Sequence, residues 1–276
     1  ASGDAVGLPH EQSGNSEAGH INIGAGRTVE QDSLTISRSI SNGTFFQNPA
    51  FLGAAEHVKQ HNSSLHLMGI LSGMQSPHMD PDHLLALITF ARLEKIKNVY
   101  LHIFTDGRDS YYYSGRNRLE KIMKLHDQEI TVATVMGRLY LDRKKNWKRT
   151  KEVYDALVEG KGKTCTNPLD AIHSAYTHGS TDEFIPPTIV VDKNKKPIGR
   201  MGDNDAIIFF HLRSDRARQL TKIFVQKDFV KLNKASSPYK IDFQEPRHLH
   251  NLFFVAMTDF GPDLRGVVTA YPAFPI

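Results

Sequence analysis

Leu65-His66-Leu67-Met68-Gly69-Ile70-Leu71, followed by Ser72-Gly73-Met74-Gln75-Ser76-Pro77-His78 and then Asp80-Pro81, is the stretch whose reading decides the fold. The first seven residues form an almost unbroken apolar run of strand length, which reads as a buried strand. Asp80 offers a side-chain oxygen to the first turn of a helix, and Pro81 suits the first helical position. Leu84, Leu87, Ile88 and Ala91 then recur at helical spacing. A strand, a polar loop and a helix in that order are the opening of a crossover unit.

The same rhythm continues outward. Residues 99–104 read as a second strand, and Leu119, Ile122, Met123 and His126 mark the next helix. Residues 130–135 are a third strand, and Trp147, Thr150, Tyr154 and Leu157 mark another helix. Residues 206–210 form a strand with Ser214 or Asp215 capping the helix after it, and residues 252–257 are the last clear strand. Helix-sized segments between strands imply crossovers, hence an α/β fold with a mostly parallel sheet and helices on both faces.

In such sheets ligands sit beyond the carboxyl ends of the strands. The polar clusters fall there: residues 72–78, then Thr105-Asp106-Gly107-Arg108-Asp109, then Gly137-Arg138, then Arg213 and Arg216. Each arginine carries a planar fork that grips carboxylate or phosphate through paired hydrogen bonds. Several forks on one rim suit a small ligand bearing both groups. The competing account is a set of surface salt bridges with Asp106, Asp109, Asp142 and Asp215. Asp109 and His78 are the titratable candidates near the rim, able to move a proton or orient a hydroxyl. Taken alone, His78 reads as an exposed loop histidine.

The first 45 residues differ from the rest. Gly3, Gly7, Gly14, Gly19, Gly24 and Gly26 make them glycine-dense, with little apolar surface for a core of their own. Such a segment belongs against another body of protein. Within it, Asn15-Ser16-Glu17-Ala18-Gly19-His20 places a serine at a helix start, where the positive end of the dipole favours phosphate. Ser16 reads locally as a helix cap. To act as a nucleophile it needs a base or a metal, and no Asp/His pair of metal-like spacing lies close to it. The far end, Ala270-Tyr271-Pro272-Ala273-Phe274-Pro275-Ile276, reads as an extended linker. Both ends read as cut from something larger.

Composition excludes several classes. The formal charge of +4 permits an anionic partner without naming one. The densest basic run, Arg143 to Arg149, opens a helix and reads as a solvated helix start, and the chain shows no basic stripe interleaved with aromatics of the kind a single-strand nucleic-acid binder uses. No apolar run approaches the roughly 20 residues of a membrane-spanning helix. Cys165 is alone, so no internal disulfide forms, which suits a reducing compartment.

Several segments together carry a family pattern. Gly3-Asp4-Ala5-Val6-Gly7-Leu8-Pro9 with Gly14-Asn15-Ser16-Glu17-Ala18-Gly19-His20-Ile21-Asn22-Ile23-Gly24-Ala25-Gly26-Arg27 resembles the nucleophile segment of the cofactor-independent phosphoglycerate mutases. Asp106-Gly107-Arg108-Asp109, Gly137-Arg138, Tyr154-Asp155-Ala156-Leu157, Arg213-Ser214-Asp215-Arg216-Ala217-Arg218-Gln219-Leu220 and Ala273-Phe274-Pro275 match it in order. The resemblance covers essentially the whole chain. It implies that residues 1–30 are a piece of an alkaline-phosphatase-like domain, residues 31–262 the transferase domain, and residues 263–276 the second interdomain linker.

The resemblance also implies a reaction, 3-phosphoglycerate to 2-phosphoglycerate through a phosphoserine on Ser16, in a cytoplasmic glycolytic monomer with no nucleic-acid or membrane partner. Ser16 is then both catalytic residue and metal ligand. His78, Arg108, Asp109, Arg138, Arg143, Arg213 and Arg216 are then the substrate-binding residues. Two divalent ions, manganese or magnesium, serve the intact family. The family's other metal ligands have no counterpart in these 276 residues, so the expectation is that the chain alone holds neither ion and does not complete the reaction. The alternative is a non-catalytic phosphoglycerate-binding domain. The chain departs from the pattern in four places: Ser-Gly-Met-Gln-Ser-Pro-His at 72–78 replaces Ser-Asp-Gly-Gly-Val-His, Ser13 replaces Met, His211 replaces Asn and Ser214 replaces Pro.

Overall fold

The structure, a computed structural model, describes residues 2–10, 12–125 and 130–273. Eight strands form one sheet: β1 (Leu65–Leu71), β2 (Val99–Thr105), β3 (Thr131–Gly137), β4 (Lys163–Cys165), β5 (Thr188–Val190), β6 (Ala206–Phe209), β7 (Phe253–Thr258) and β8 (Val267–Tyr271). Their order is β4-β5-β3-β2-β1-β6-β7-β8. Every pairing is parallel except that of β3 with β5. The helices are α1 (Ser16–Ala25), α2 (Asp32–Ser41), α3 (Pro49–His61), α4 (Pro81–Leu93), α5 (Gly115–Leu125), α6 (Trp147–Tyr154), α7 (Pro168–Thr177), α8 (Ser214–Val225) and α9 (Phe229–Asn233).

The opening strand lies at the centre of the sheet. All seven residues of β1 are buried, so both faces of the sheet are covered there. Leu65, Leu67, Ile70 and Leu71 are almost wholly inaccessible, and each such side chain contributes about 1.5–3 kcal/mol of burial. From β1 the chain winds to β2 and β3 on one side, then returns to place β6 on the other. The direction of winding therefore reverses between β1 and β6, the crevice where open α/β sheets hold ligands.

Asp80 caps α4 by accepting from the Asp82 N–H at 2.9 Å, with Pro81 in the first turn. The cap of α8 differs from expectation. Arg213 occupies the cap position and gives no side-chain cap, and neither Ser214 nor Asp215 serves. The Asp215 carboxylate instead reaches Arg143. At α1 the cap is Asn15, which accepts from the Ala18 N–H at 3.0 Å, so Ser16 is the first helical residue rather than the cap. The helix expected through Leu157 is α-helical to Tyr154 and widens into a π turn over Asp155–Glu159. His126 lies outside the described residues.

The segment expected as a free extended linker is extended, but part of it is paired. β8 runs parallel to β7 from Phe254↔Val267 to Thr258↔Tyr271. Asn48 donates to the Ala270 carbonyl at 2.8 Å, and the Tyr271 hydroxyl lies 2.6 Å from Ser39 Oγ. Phe274, Pro275 and Ile276 are outside the described residues. The glycine-dense start does lie against other protein, as its composition suggests: Gln12 donates to the Ser76 carbonyl at 3.0 Å, and Ser13 N–H to Gln75 Oε1 at 3.3 Å. Gly7 is required there, because its φ is +72° and a Cβ would stand 2.1 Å from the Val29 carbonyl oxygen. Among the described residues no helix is long and apolar enough to cross a membrane, and Cys165 is a free thiol.

Candidate active-site rim at the carboxyl edge of the sheet

Four neighbouring parallel strands, β3, β2, β1 and β6, deliver the four polar loops to one edge. Arg138 stands immediately after β3 and is buried. Its Nη1 lies 2.5 Å from Asp106 Oδ1 and 2.5 Å from Asp109 Oδ2, and its Nη2 lies 2.9 Å from His78 Nε2. Its buried Nε has no hydrogen-bond partner among the described residues. Asp106, fully buried at the end of β2, also accepts from the backbone N–H of Arg108 at 3.2 Å and of Asp109 at 3.3 Å. The Ser72 hydroxyl donates a short hydrogen bond to its other oxygen. One arginine thus ties together the loops after β1, β2 and β3.

His78 is buried, not exposed, and sits on the switch-point crevice. Its Nδ1 lies 3.2 Å from Nε2 of His211, a wholly buried residue just after β6. Burial lowers the His78 pKa, and His211, Arg138, Arg213 and Arg216 lower it further. His211 is pushed down to about 3, chiefly by burial. Both imidazoles are therefore neutral at physiological pH.

The remaining arginines surround this pair. Arg213 Nε lies 2.7 Å from Glu17 Oε2, which joins the rim to helix α1. Arg143 Nη1 donates to Asp215 Oδ2 at 2.6 Å. Arg108 is more than half exposed and approaches Glu183 at 3.5 Å. Arg216 is buried and, among the described residues, forms no ion pair. It donates from Nη1 to the Leu141 carbonyl at 3.0 Å, and its Nε is unpartnered. Burial pushes its pKa down to about 10, assisted by the charges of Arg138, Arg143 and Arg108. Mutual electrostatic influence of this kind requires that the guanidinium groups share one region. The salt-bridge account holds for Arg138 and Arg143 and, at 3.9 Å from Asp215, for Arg213, although Asp106 is a buried anchor and not a surface partner.

Ser16 is exposed on the neighbouring face. Its Oγ lies 3.3 Å from His20 Nδ1, but that nitrogen lies closer, 2.6 Å, to the Ser16 carbonyl oxygen. A carbonyl only accepts, so Nδ1 carries the proton and has no lone pair to take one from Oγ. His20 is thus not a base for Ser16. Among the described residues no group of three His, Cys, Asp or Glu side chains could hold a metal ion, so the residues present do not fit a two-metal site. A cavity of about 890 Å³ opens beside Asn15, Glu17, Ser76 and Pro77 and reaches the rim at Arg213.

Every substrate-binding candidate read from the sequence lies on this rim, and Ser16 adjoins it through Glu17. Reading the sequence assigned no role to Asp182, Glu183 or Ser72. Asp182 is buried and accepts from the N–H groups of Ser114 at 3.0 Å and Gly115 at 2.7 Å, which caps α5 from 67 residues away in the chain. Nothing local in the sequence signals that.

A family model described as BPG-independent PGAM N-terminus matches residues 36–262. The chain belongs to the BPG-independent phosphoglycerate mutase family. It is 45% identical over 285 residues to a 2,3-bisphosphoglycerate-independent phosphoglycerate mutase of Chloroflexus aggregans, covering 99% of this chain and 52% of that protein. With the enzyme of the same name from Methanococcoides burtonii it shares 45% identity over 282 residues, covering 99% and 51%. A crystal structure of Leishmania mexicana phosphoglycerate mutase at low cobalt concentration superimposes with a TM-score of 0.86 at 26% identity, covering 99% of this chain and 50% of that one. The mutase family is a family of enzymes, and this chain spans about half the length of the curated relatives it matches. Its α/β fold with a mostly parallel sheet is that of the Leishmania mutase.

Proposed function

We propose that this chain binds 3-phosphoglycerate and 2-phosphoglycerate on the arginine rim and presents Ser16 for phosphoryl transfer between them. The observation that supports this most is Arg216: a buried guanidinium without a carboxylate partner among the described residues, crowded by like charges. An anionic ligand relieves that crowding. Phosphoglycerate carries a planar carboxylate and a phosphate, both suited to arginine forks. Arg138 stiffens the rim, while Arg108, Arg143 and Arg213 are held by carboxylates that a more highly charged ligand can displace. Asp109, partly exposed on the same rim, orients a glycerate hydroxyl, while His78, with both ring nitrogens engaged by Arg138 and His211, acts through Arg138.

Ser16 lacks an activating group among the described residues, so its activation falls to groups outside them. Two divalent ions, manganese or magnesium, would supply Lewis-acid activation of Ser16, and the described residues offer no cluster to hold them. The chain's own part is to bind, orient and present. Residues 1–30 then belong to an alkaline-phosphatase-like domain, residues 31–262 form the transferase domain, and residues 263–276 lead back. The setting is cytoplasmic glycolysis, and the chain acts as a monomer.

Calorimetric titration of 3-phosphoglycerate tests the binding half. Wild type and Ser16→Ala are expected to bind alike, and Arg216→Met at least tenfold more weakly. Equal binding by Arg216→Met refutes the rim. A coupled mutase assay of the isolated chain with manganese is expected to show no turnover, and turnover like that of an intact enzyme refutes the division of labour. The unactivated Ser16 also favours a second reading, a binding domain without catalysis. That reading predicts that the complete enzyme, incubated with substrate and manganese, yields no phosphoserine at Ser16 by mass spectrometry.

A further inference from the structure

We propose that His211 is a positioning residue, whose Nε2 accepts a proton from His78 Nδ1 in a hydrogen bond and so locks His78 in the tautomer that leaves Nε2 free of hydrogen. The proposal rests on the phosphoglycerate reading only for its consequence, since the tautomer follows from the donors around His78.

The chain of roles starts at Arg138. A guanidinium in a protein is always protonated and only donates. Its Nη2 lies 2.9 Å from His78 Nε2, so that nitrogen presents a lone pair. The competing acceptor, Asp109 Oδ2, lies 3.6 Å from the same nitrogen, beyond hydrogen-bond reach. The opposite tautomer sets an imidazole N–H against a guanidinium N–H, two donors face to face. His78 is kept neutral by burial, by His211 and by the charges of Arg138, Arg213 and Arg216. Its single proton must then sit on Nδ1.

His211 Nε2, 3.2 Å away, receives that proton in a hydrogen bond. His211 is itself neutral and fully buried, so its own proton moves to Nδ1. That Nδ1 has no hydrogen-bond partner among the described residues. The result is a directional relay: His211 sets His78, and His78 Nε2 in turn steadies the Arg138 fork. The far end of the relay is a buried donor, His211 Nδ1–H, in the electrostatic reach of Arg138, Arg213 and Arg216. A leucine in place of His211 breaks the relay while filling the same apolar surroundings beside Phe209.

Long-range proton–nitrogen NMR on the full 276-residue chain with labelled histidine reads the tautomers directly, His78 being assigned by its loss in His78→Gln. In wild type at pH 7.5, His78 is expected to show a protonated Nδ1 and an unprotonated Nε2. In His211→Leu that preference is expected to weaken to a mixture, with 3-phosphoglycerate affinity reduced about tenfold, or roughly 1.4 kcal/mol. His211→Asn keeps an acceptor oxygen and is expected to retain the tautomer and to bind within about threefold of wild type, as the relation between affinity and free energy allows for a nearly conserved contact. A wild-type His78 protonated on Nε2 overturns the proposal, even if His211→Leu fails to fold. So does a folded His211→Leu with unchanged tautomer and affinity. If wild type binds no phosphoglycerate but shows the expected tautomer, the substrate reading fails while the positioning role stands.

Discussion

Replacing Arg138 with Met leaves the fully buried Asp106 without its cationic partner. The Asp106 carboxylate keeps the two backbone N–H groups, at 3.2 and 3.3 Å, and the Ser72 hydroxyl, but loses the guanidinium at 2.5 Å. Removing one member of a buried ion pair strands the other, and such changes cost about 3–5 kcal/mol. With a urea m-value of about 3 kcal/mol/M for a domain of this size, the unfolding midpoint falls by roughly 1–1.7 M. Asp106→Asn in the same chain removes the stranded charge, so Arg138→Met/Asp106→Asn is expected to regain at least about 1.5 kcal/mol over Arg138→Met, a coupling typical of residues in one network. Urea unfolding followed by circular dichroism on the four chains of the cycle measures this. A loss below about 1 kcal/mol in Arg138→Met, the size of an exposed pair, refutes the claim that Arg138 is the buried anchor of three loops. So does strict additivity in the cycle.

Two further outcomes follow from the same packing. His83, paired with Ser37 Oγ at 3.0 Å, has its pKa pushed down to about 4, and that of His211 falls to about 3, each from an ordinary 6.5. The unfolded chain thus binds more protons below pH 6.5, and stability falls as pH drops from 6.5 toward 4, by about 1.4 kcal/mol per pH unit for each histidine. Urea midpoints measured across that window should fall steadily, and less steeply in His83→Gln, whereas a flat profile contradicts the assignment. Gly137→Ala places a Cβ 2.2 Å from the Glu183 carbonyl oxygen and 2.7 Å from that of Asp182. Backbone must move, at a cost of about 1–3 kcal/mol, and a thermal midpoint within 1 °C of wild type rules this out.

The sheet was legible wherever strands were long and buried on both faces. β1, β2, β3, β6 and β7 announce themselves as apolar runs, because a strand covered on both faces needs no alternation. β4 and β5 have three residues each, too short to show any period. β8 was missed for a different reason: it is only partly buried, lies at the sheet edge and runs into Pro272, so its sequence reads as a linker. The rim was legible because arginines at strand ends must meet if the strands are parallel neighbours. Burial was not legible. His78 looks like a loop residue until the switch-point crevice closes over it, and His211 looks like part of an apolar strand end. Asp182 and Glu183 act on the rim from a distant 3-10 turn, and only the folded chain brings them to Gly115 and Arg108.

The central claim is that guanidinium groups from separate strand ends form one receptor for phosphoglycerate. A crystal of the chain soaked in 3-phosphoglycerate tests it directly. The account predicts ligand density on the rim, with an anionic oxygen bonded to Arg216 and another to Arg108, Arg143 or Arg213. Ligand ordered elsewhere, with the Arg216 Nε still unpartnered, contradicts it.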